Sequence, residues 1–257
     1  MADIAASRVI LVTGTDTGVG KTVATAAVAA KLISQGLRSH VYKPVQTGLI
    51  CAGDPQRATL QRGNPDMVVE DDAEIAGKLA GCSYSTGASY PLPAAPRAAA
   101  AKAQMPLPAL QTHVKRIEEL LLDHDVVVVE GAGGLLVDLG EYTLADLAVE
   151  LQAHLGPLIH IVVVVRPNLG TLNHTALTVE ALRYRRLSRF SVVIGAWPEG
   201  PTEVEISNRE ELRRTYPLLG VVPHRSGTLS PETFRTRAPK WLTRIDSLVS
   251  AGQGSAS

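Results

Sequence analysis

The sequence predicts an α/β fold, a doubly wound and mostly parallel sheet in a single domain spanning 1–257. Three observations point there. Short, nearly uninterrupted runs of valine, isoleucine and leucine recur along the chain, as parallel strands covered on both faces require. Segments with helical apolar spacing lie between them, so strand and helix alternate. The first apolar run passes through "GTDTGVGKT" (14–22) into a helical segment. A glycine-rich turn between strand and helix is the setting of a phosphate-binding loop, which makes the fold P-loop NTPase-like.

Each element follows from its residues. "RVILVTG" (8–14) is the first strand, and the alanine-rich segment after Lys21 suits a helix packed closely on a sheet. "SHVYKPV" (39–45) is the second strand, and Pro44 is expected to stop its ladder, leaving Lys43 at the C-terminal end. Residues 49–69 are polar and read as a loop before a helix starting near Asp72. The Pro- and Ala-rich stretch 85–109 reads as an extended, partly helical connection. Leu110, Val114, Ile117 and Leu121 form a helical stripe that leads to the strand "DVVVVEGAGG" (125–134). Thr143 and Asp146 are spaced as a capping box ahead of a second stripe, Leu144, Leu147, Ala148 and Leu151. Strands are predicted at 158–167, 191–197 and 218–223, with a helix N-capped by Thr171 after the first of these. Residues 250–257 are expected to be a disordered tail.

Composition narrows the function. Lys plus Arg and Asp plus Glu both number 25, which argues against bulk attraction to nucleic acid or to an anionic membrane. No apolar stretch reaches about 18 residues, and the N-terminus has no basic region, so neither a spanning helix nor a secretion signal is expected. Cys51 and Cys82 form no CxxC pair and read as reduced thiols of a cytoplasmic protein. His40, His113, His124, His154, His160 and His224 lack metal-ligand spacing.

The loop 14–22 departs from G-x-x-x-x-G-K-[ST], because Thr15 stands where the first glycine belongs and Gly14 precedes it. Gly18 and Gly20 let backbone amides converge on an anion, Lys21 reaches the β- and γ-phosphates, and Thr22 is a candidate ligand of Mg²⁺. Asp16 occupies the position of the signature lysine of partition and division-site ATPases. That class, a deviant Walker A switch ATPase, is the alternative reading. Glu130 ends a buried run beside Gly131, Gly133 and Gly134, where a carboxylate would stand near the nucleotide's metal. Asp71 and Asp72 both suit a helix start. Lys43 points to the same crevice as the loop and could neutralise anionic oxygens as charge moves.

Taken in this order, "VTGTDTGVGKT", "YKPVQTG", the acidic helix start, "VEGAGGLLV" and "LGTLNHTALT" resemble the dethiobiotin synthetases over nearly the whole chain. The resemblance implies ATP- and Mg²⁺-dependent carboxylation of 7,8-diaminopelargonate with CO2. The carbamate is activated as a carbamic–phosphoric anhydride and closes to dethiobiotin, ADP and phosphate. It implies that Lys21 and Lys43 flank the transferring phosphoryl group, and that Thr22, Asp72 and Glu130 hold the metal. Nucleotide contacts are implied at Gly18, Val19, Gly20 and Val23, at Gly131, Ala132 and Gly133, and at Gly195, Ala196 and Pro223. Thr17 and Thr47 are implied to meet the substrate. A homodimer with its site at the interface is implied as well, with Asn173 reaching the partner's substrate. One departure is "GAWPEG", which stands where enterobacterial members carry an Asn-Asp pair whose asparagine reads adenine.

Overall fold

A computed structural model describes residues 8–50, 62 and 70–243. The expected loop at 49–69 and the expected tail at 250–257 fall almost wholly outside these residues. The described strands are β1 (Val9–Gly14), β2 (Ser39–Thr47), β3 (Ser83–Tyr90), β4 (Val126–Gly134), β5 (Ile159–Val165), β6 (Phe190–Trp197) and β7 (Leu218–Pro223). They form one sheet in the order β3-β2-β4-β1-β5-β6-β7, and every neighbouring pair is parallel. The helices are α1 (Lys21–Ser34), α2 (Asp72–Ala80), α3 (Pro96–Ala103), α4 (Leu110–Asp123), α5 (Leu144–Leu155), α6 (Thr171–Tyr184), α7 (Glu203–Thr215) and α8 (Pro231–Arg237).

Because successive strand side chains face opposite ways, β1 feeds two apolar layers. Ile10 and Val12 join Val128, Val162 and Val164 beneath α1, α2 and α8. Val9 and Leu11 join Val127, Val129 and Val163 beneath α4 and α5. The alanines of α1 are buried, and their small side chains bring the helix close to the sheet. The predicted capping box opens α5: Thr143 accepts from the Asp146 N–H, and Asp146 accepts from the Thr143 N–H.

Three expectations need correction. The polar "SYSTGASY" is a strand, β3, so the predicted connection at 85–109 begins as part of the sheet. Gly87 is required there, because a Cβ would lie 2.6 Å from the Pro44 oxygen and 2.7 Å from the Tyr42 hydroxyl. Pro44 does not end β2: pairing with β4 stops at Tyr42, but pairing with β3 runs on to Thr47. By contrast β4 runs through Glu130 to Gly134, as the predicted strand 125–134 required. Thr171 is not the cap of α6; Gly170, at φ 93°, takes that place and leaves Thr171 buried in the first turn.

Candidate active site

The phosphate loop owes its shape to contacts on both sides. A Cβ on Gly14 would lie 2.8 Å from both the Asp16 oxygen and Val19 Cγ2. The turn therefore folds back over the end of β1, which is why glycine stands one place early. The Thr15 N–H donates to the Val164 oxygen at 3.0 Å, tying the turn to β5. Gly18 and Gly20 are left-handed, at φ 74° and 92°, a conformation that favours glycine; Gly20 is also the N-cap of α1. A Cβ on Gly195 would fall 2.0 Å from the Val19 oxygen, so β6 touches the loop directly.

Beneath the loop lies a buried cation with its anions. Because pairing of β2 with β4 stops at Tyr42, Lys43 stands where the two strands part. Its Nζ donates to Asp72 Oδ2 at 2.6 Å, Glu130 Oε1 at 2.9 Å and the Gly131 oxygen at 3.1 Å. Thr22 Oγ1 donates to the same Glu130 Oε1 at 3.0 Å. The opposite oxygen, Glu130 Oε2, is buried with no partner. Burial pushes the Lys43 ammonium down, but Glu130 and Asp72 outweigh it and hold its pKa above the usual lysine range. Burial raises the Glu130 carboxyl, against the pull of Lys43. For Asp72, burial is overcome by Lys43, and its carboxyl stays below the usual range.

The two acids at the start of α2 have separate tasks. Asp71 is the N-cap, accepting from the Glu74 N–H at 2.7 Å and from Thr86 Oγ1 at 2.8 Å. Asp72, one residue on, turns to Lys43. Gln46 fixes this start: its Oε1 accepts from the Asp72 N–H at 3.2 Å, and its Nε2 donates to the Thr47 oxygen at 2.8 Å. Sequence reasoning passed over Gln46, although it lies inside "KPVQTG".

Lys21 is almost as enclosed. Its Nζ donates to the Asp16 oxygen at 3.0 Å, and burial, assisted by the charge of Lys43, pushes its pKa down to about 8. Val19 is buried beside it, and Val23 is half-buried one turn along α1. Gly133, at φ 62°, closes the other side: a Cβ there would lie 3.6 Å from Thr17 Oγ1. Gly131 leaves no room for a side chain beneath Leu144, whose Cδ2 would lie 2.4 Å from a Cβ; Ala132 follows, half-buried.

The structure brings Thr22, Lys21, Lys43, Asp72 and Glu130 together, with Thr17 and Gly133 at the rim. Ala196, at φ 53°, stands against the loop, its backbone nitrogen 3.7 Å from a Cβ placed on Gly20. Pro223 pairs with Trp197 beside it. Asn173 is not in this cluster; it is exposed on the first turn of α6. Among the described residues no set of three or more His, Cys, Asp or Glu side chains could hold a metal, so a metal here would rely on a hydroxyl as well as carboxylates. Thr22, Asp72 and Glu130 are the hard oxygen donors a magnesium ion takes, and the unpartnered Glu130 Oε2 is an oxygen left to receive it.

A parallel sheet with a glycine loop and lysine at the N-terminus of α1 defines a P-loop NTPase. Comparison with known proteins agrees. The family described as "AAA domain" matches residues 8–232. A solved plasmid partition protein from Borrelia burgdorferi shares the fold alone, at TM-score 0.51 and 11% identity over 93% of this chain and all of that one. Sequence relatives are far more specific. The ATP-dependent dethiobiotin synthetase BioD of Mycobacterium avium (strain 104) is 48% identical, covering 88% of this chain and 91% of its own. That of Mycobacterium leprae (strain TN) is 44% identical, covering 92% and 98%. The chain belongs to the ATP-dependent dethiobiotin synthetase family.

Proposed function

We propose that this protein is a cyclo-ligase that joins CO2 to 7,8-diaminopelargonate and closes the ureido ring of dethiobiotin at the expense of ATP. One amine takes up CO2 as a carbamate. A carbamate oxygen attacks the γ-phosphorus, releasing ADP, and the second amine then attacks the carbamoyl carbon, expelling phosphate and closing the ring.

The observation that carries the reading is the Lys43 ammonium, buried between Asp72 and Glu130 at the foot of the phosphate loop. Phosphoryl transfer needs positioning and charge neutralisation more than covalent help, and two enclosed ammonium groups supply both. Lys21 binds the β- and γ-phosphates, and Lys43 neutralises the carbamate and the oxygens of the transferring group. Thr17, at the rim, and Thr47, the last residue of β2, orient the diamine. Thr22, Asp72 and Glu130 would hold magnesium, which when bound would shield the phosphate charge. The enclosure of both lysines limits water near a carbamate that would otherwise lose CO2.

A second copy of the chain completes the site in this reading. Leu169, Leu177 and Tyr184 lie on and beside α6 at 84%, 57% and 86% exposure, an apolar face suited to a partner. It carries Asn173 toward the partner's diamine. In this reading the protein works in the cytoplasm on small-molecule substrates; the described residues contain no helix long and apolar enough to cross a membrane. The test is direct: incubation with ATP, Mg²⁺, bicarbonate and the diamine should yield dethiobiotin by mass spectrometry. ATP turnover that needs DNA or lipid, without that product, would favour the switch ATPase instead.

A further inference from the structure

Asp16 is an anomaly for a loop that receives a polyphosphate. Its carboxylate is near enough to Lys21 to influence that lysine's titration, so it also opposes an incoming anion. Its counter-charge comes from 150 residues away in sequence. Arg166, the first residue after β5, pairs through Nη2 with Asp16 Oδ2. The other carboxylate oxygen accepts from the Thr17 N–H at 2.7 Å, and the Asp16 backbone oxygen holds Lys21 Nζ. The Thr17 N–H, then Arg166 and at longer range His174, keep the Asp16 carboxyl below the usual range. Arg166 Nε is buried with no partner, so the guanidinium is held in place with a donor unused.

We propose that Arg166 is a positioning residue of the phosphate loop. It cancels the charge of Asp16, whose other carboxylate oxygen accepts from the Thr17 N–H and whose backbone oxygen holds Lys21, so that the loop meets an anion without a repelling carboxylate. This inference rests on the nucleotide reading above. Without Arg166 the loop would keep its lysine and its glycines but present an uncompensated carboxylate to the triphosphate. Without both Arg166 and Asp16's charge, that conflict disappears. A pair that acts only as scaffold predicts the opposite, with the double variant at least as impaired as either single one.

The experiment is a charge-neutralisation double-mutant cycle on the full chain, with the affinity for the magnesium complex of a non-hydrolysable ATP analogue measured by calorimetry. Arg166→Ala should weaken binding about fivefold, the scale of a partly exposed ion pair. Asp16→Asn alone should leave binding close to that of the unaltered protein. The double variant Asp16→Asn with Arg166→Ala should recover most of the loss, and Arg166→Lys should retain part of it by charge alone. In turnover, Arg166→Ala should raise KM for ATP and leave kcat at saturating ATP nearly unchanged. Should Arg166→Ala fail to fold, Arg166→Lys with and without Asp16→Asn makes the same comparison. Unaltered binding in Arg166→Ala, or a double variant no better than it, overturns the proposal. Failure of the unaltered protein to bind the analogue, or binding indifferent to Lys21→Ala, overturns the nucleotide reading itself and this inference with it.

Discussion

Replacing Lys43 by alanine should damage chemistry and stability together, with a pH signature. The ammonium is 2% exposed and donates to three oxygens, two of them carboxylate. Removing one partner of a buried ion pair leaves an uncompensated charge and costs about 3–5 kcal/mol. Here Asp72 and Glu130 would be left facing each other. Burial already raises the Glu130 carboxyl, and Lys43 is the strongest influence opposing it, so the variant carries Glu130 further above the ordinary range. An acid whose folded pKa exceeds its unfolded one binds more protons folded than unfolded. Its stability therefore falls as pH rises between those two values. Relative to the unaltered protein, Lys43→Ala should lose least in mild acid and most at and above neutrality. Urea unfolding of both proteins at about pH 5.5 and about pH 8 measures the difference. In turnover, loss of one positioned charge should lower kcat about 10²–10³-fold, with a much smaller effect on nucleotide affinity. A stability loss equal at both pH values, or normal turnover, would refute the reasoning.

Three further predictions follow from the same geometry. Burial pushes the Lys21 ammonium down to about 8, so ATP affinity should decline as pH rises through that value, while Lys21→Arg, which keeps its charge, should show no such decline; calorimetry across this range decides it. Gly195→Ala would drive a methyl into the Val19 oxygen, so it should cost about 1–3 kcal/mol and weaken ATP binding, and a variant that melts and binds normally would remove this contact from the argument. If the protein pairs through α6 as proposed, light scattering should find it dimeric and Leu177→Glu combined with Tyr184→Glu monomeric, with the fold intact by circular dichroism; a monomeric unaltered protein refutes the pairing, and a double variant that stays dimeric moves the interface elsewhere.

The central strands were legible because β1, β4 and β5 are short runs apolar on both faces, as parallel strands covered on both sides must be. The edge strand was not. β3 pairs on one side only, carries serines and a glycine, and shows no apolar run; what holds it is its ladder with β2, which no local pattern records. At the site, Lys43, Glu130 and Lys21 could be singled out because glycines and strands frame them. Local pattern could not separate Asp71 from Asp72, since a carboxylate at either position suits a helix start; the resemblance singled out Asp72, and the direction of the chain into α2 makes Asp71 the cap and turns Asp72 to Lys43. Thr171 misled for a related reason. Its residue type favours a cap, but a left-handed Gly170 places it inside the helix. Arg166 gave no signal, because its partner lies on a different strand–helix connection.

The covering of α1 has a consequence for how the protein is made. Phe234, Ala238 and Leu242 belong to the same apolar cluster as the buried alanines of α1, and the Trp241 backbone leaves Gly220 of β7 no space for a side chain. The helix bearing Lys21 is thus sealed by residues synthesised some two hundred positions later. On the ribosome, its outer flank stays wet until residues 234–242 clear the exit tunnel, so competence to hold ATP should arrive abruptly with that segment rather than grow with the chain.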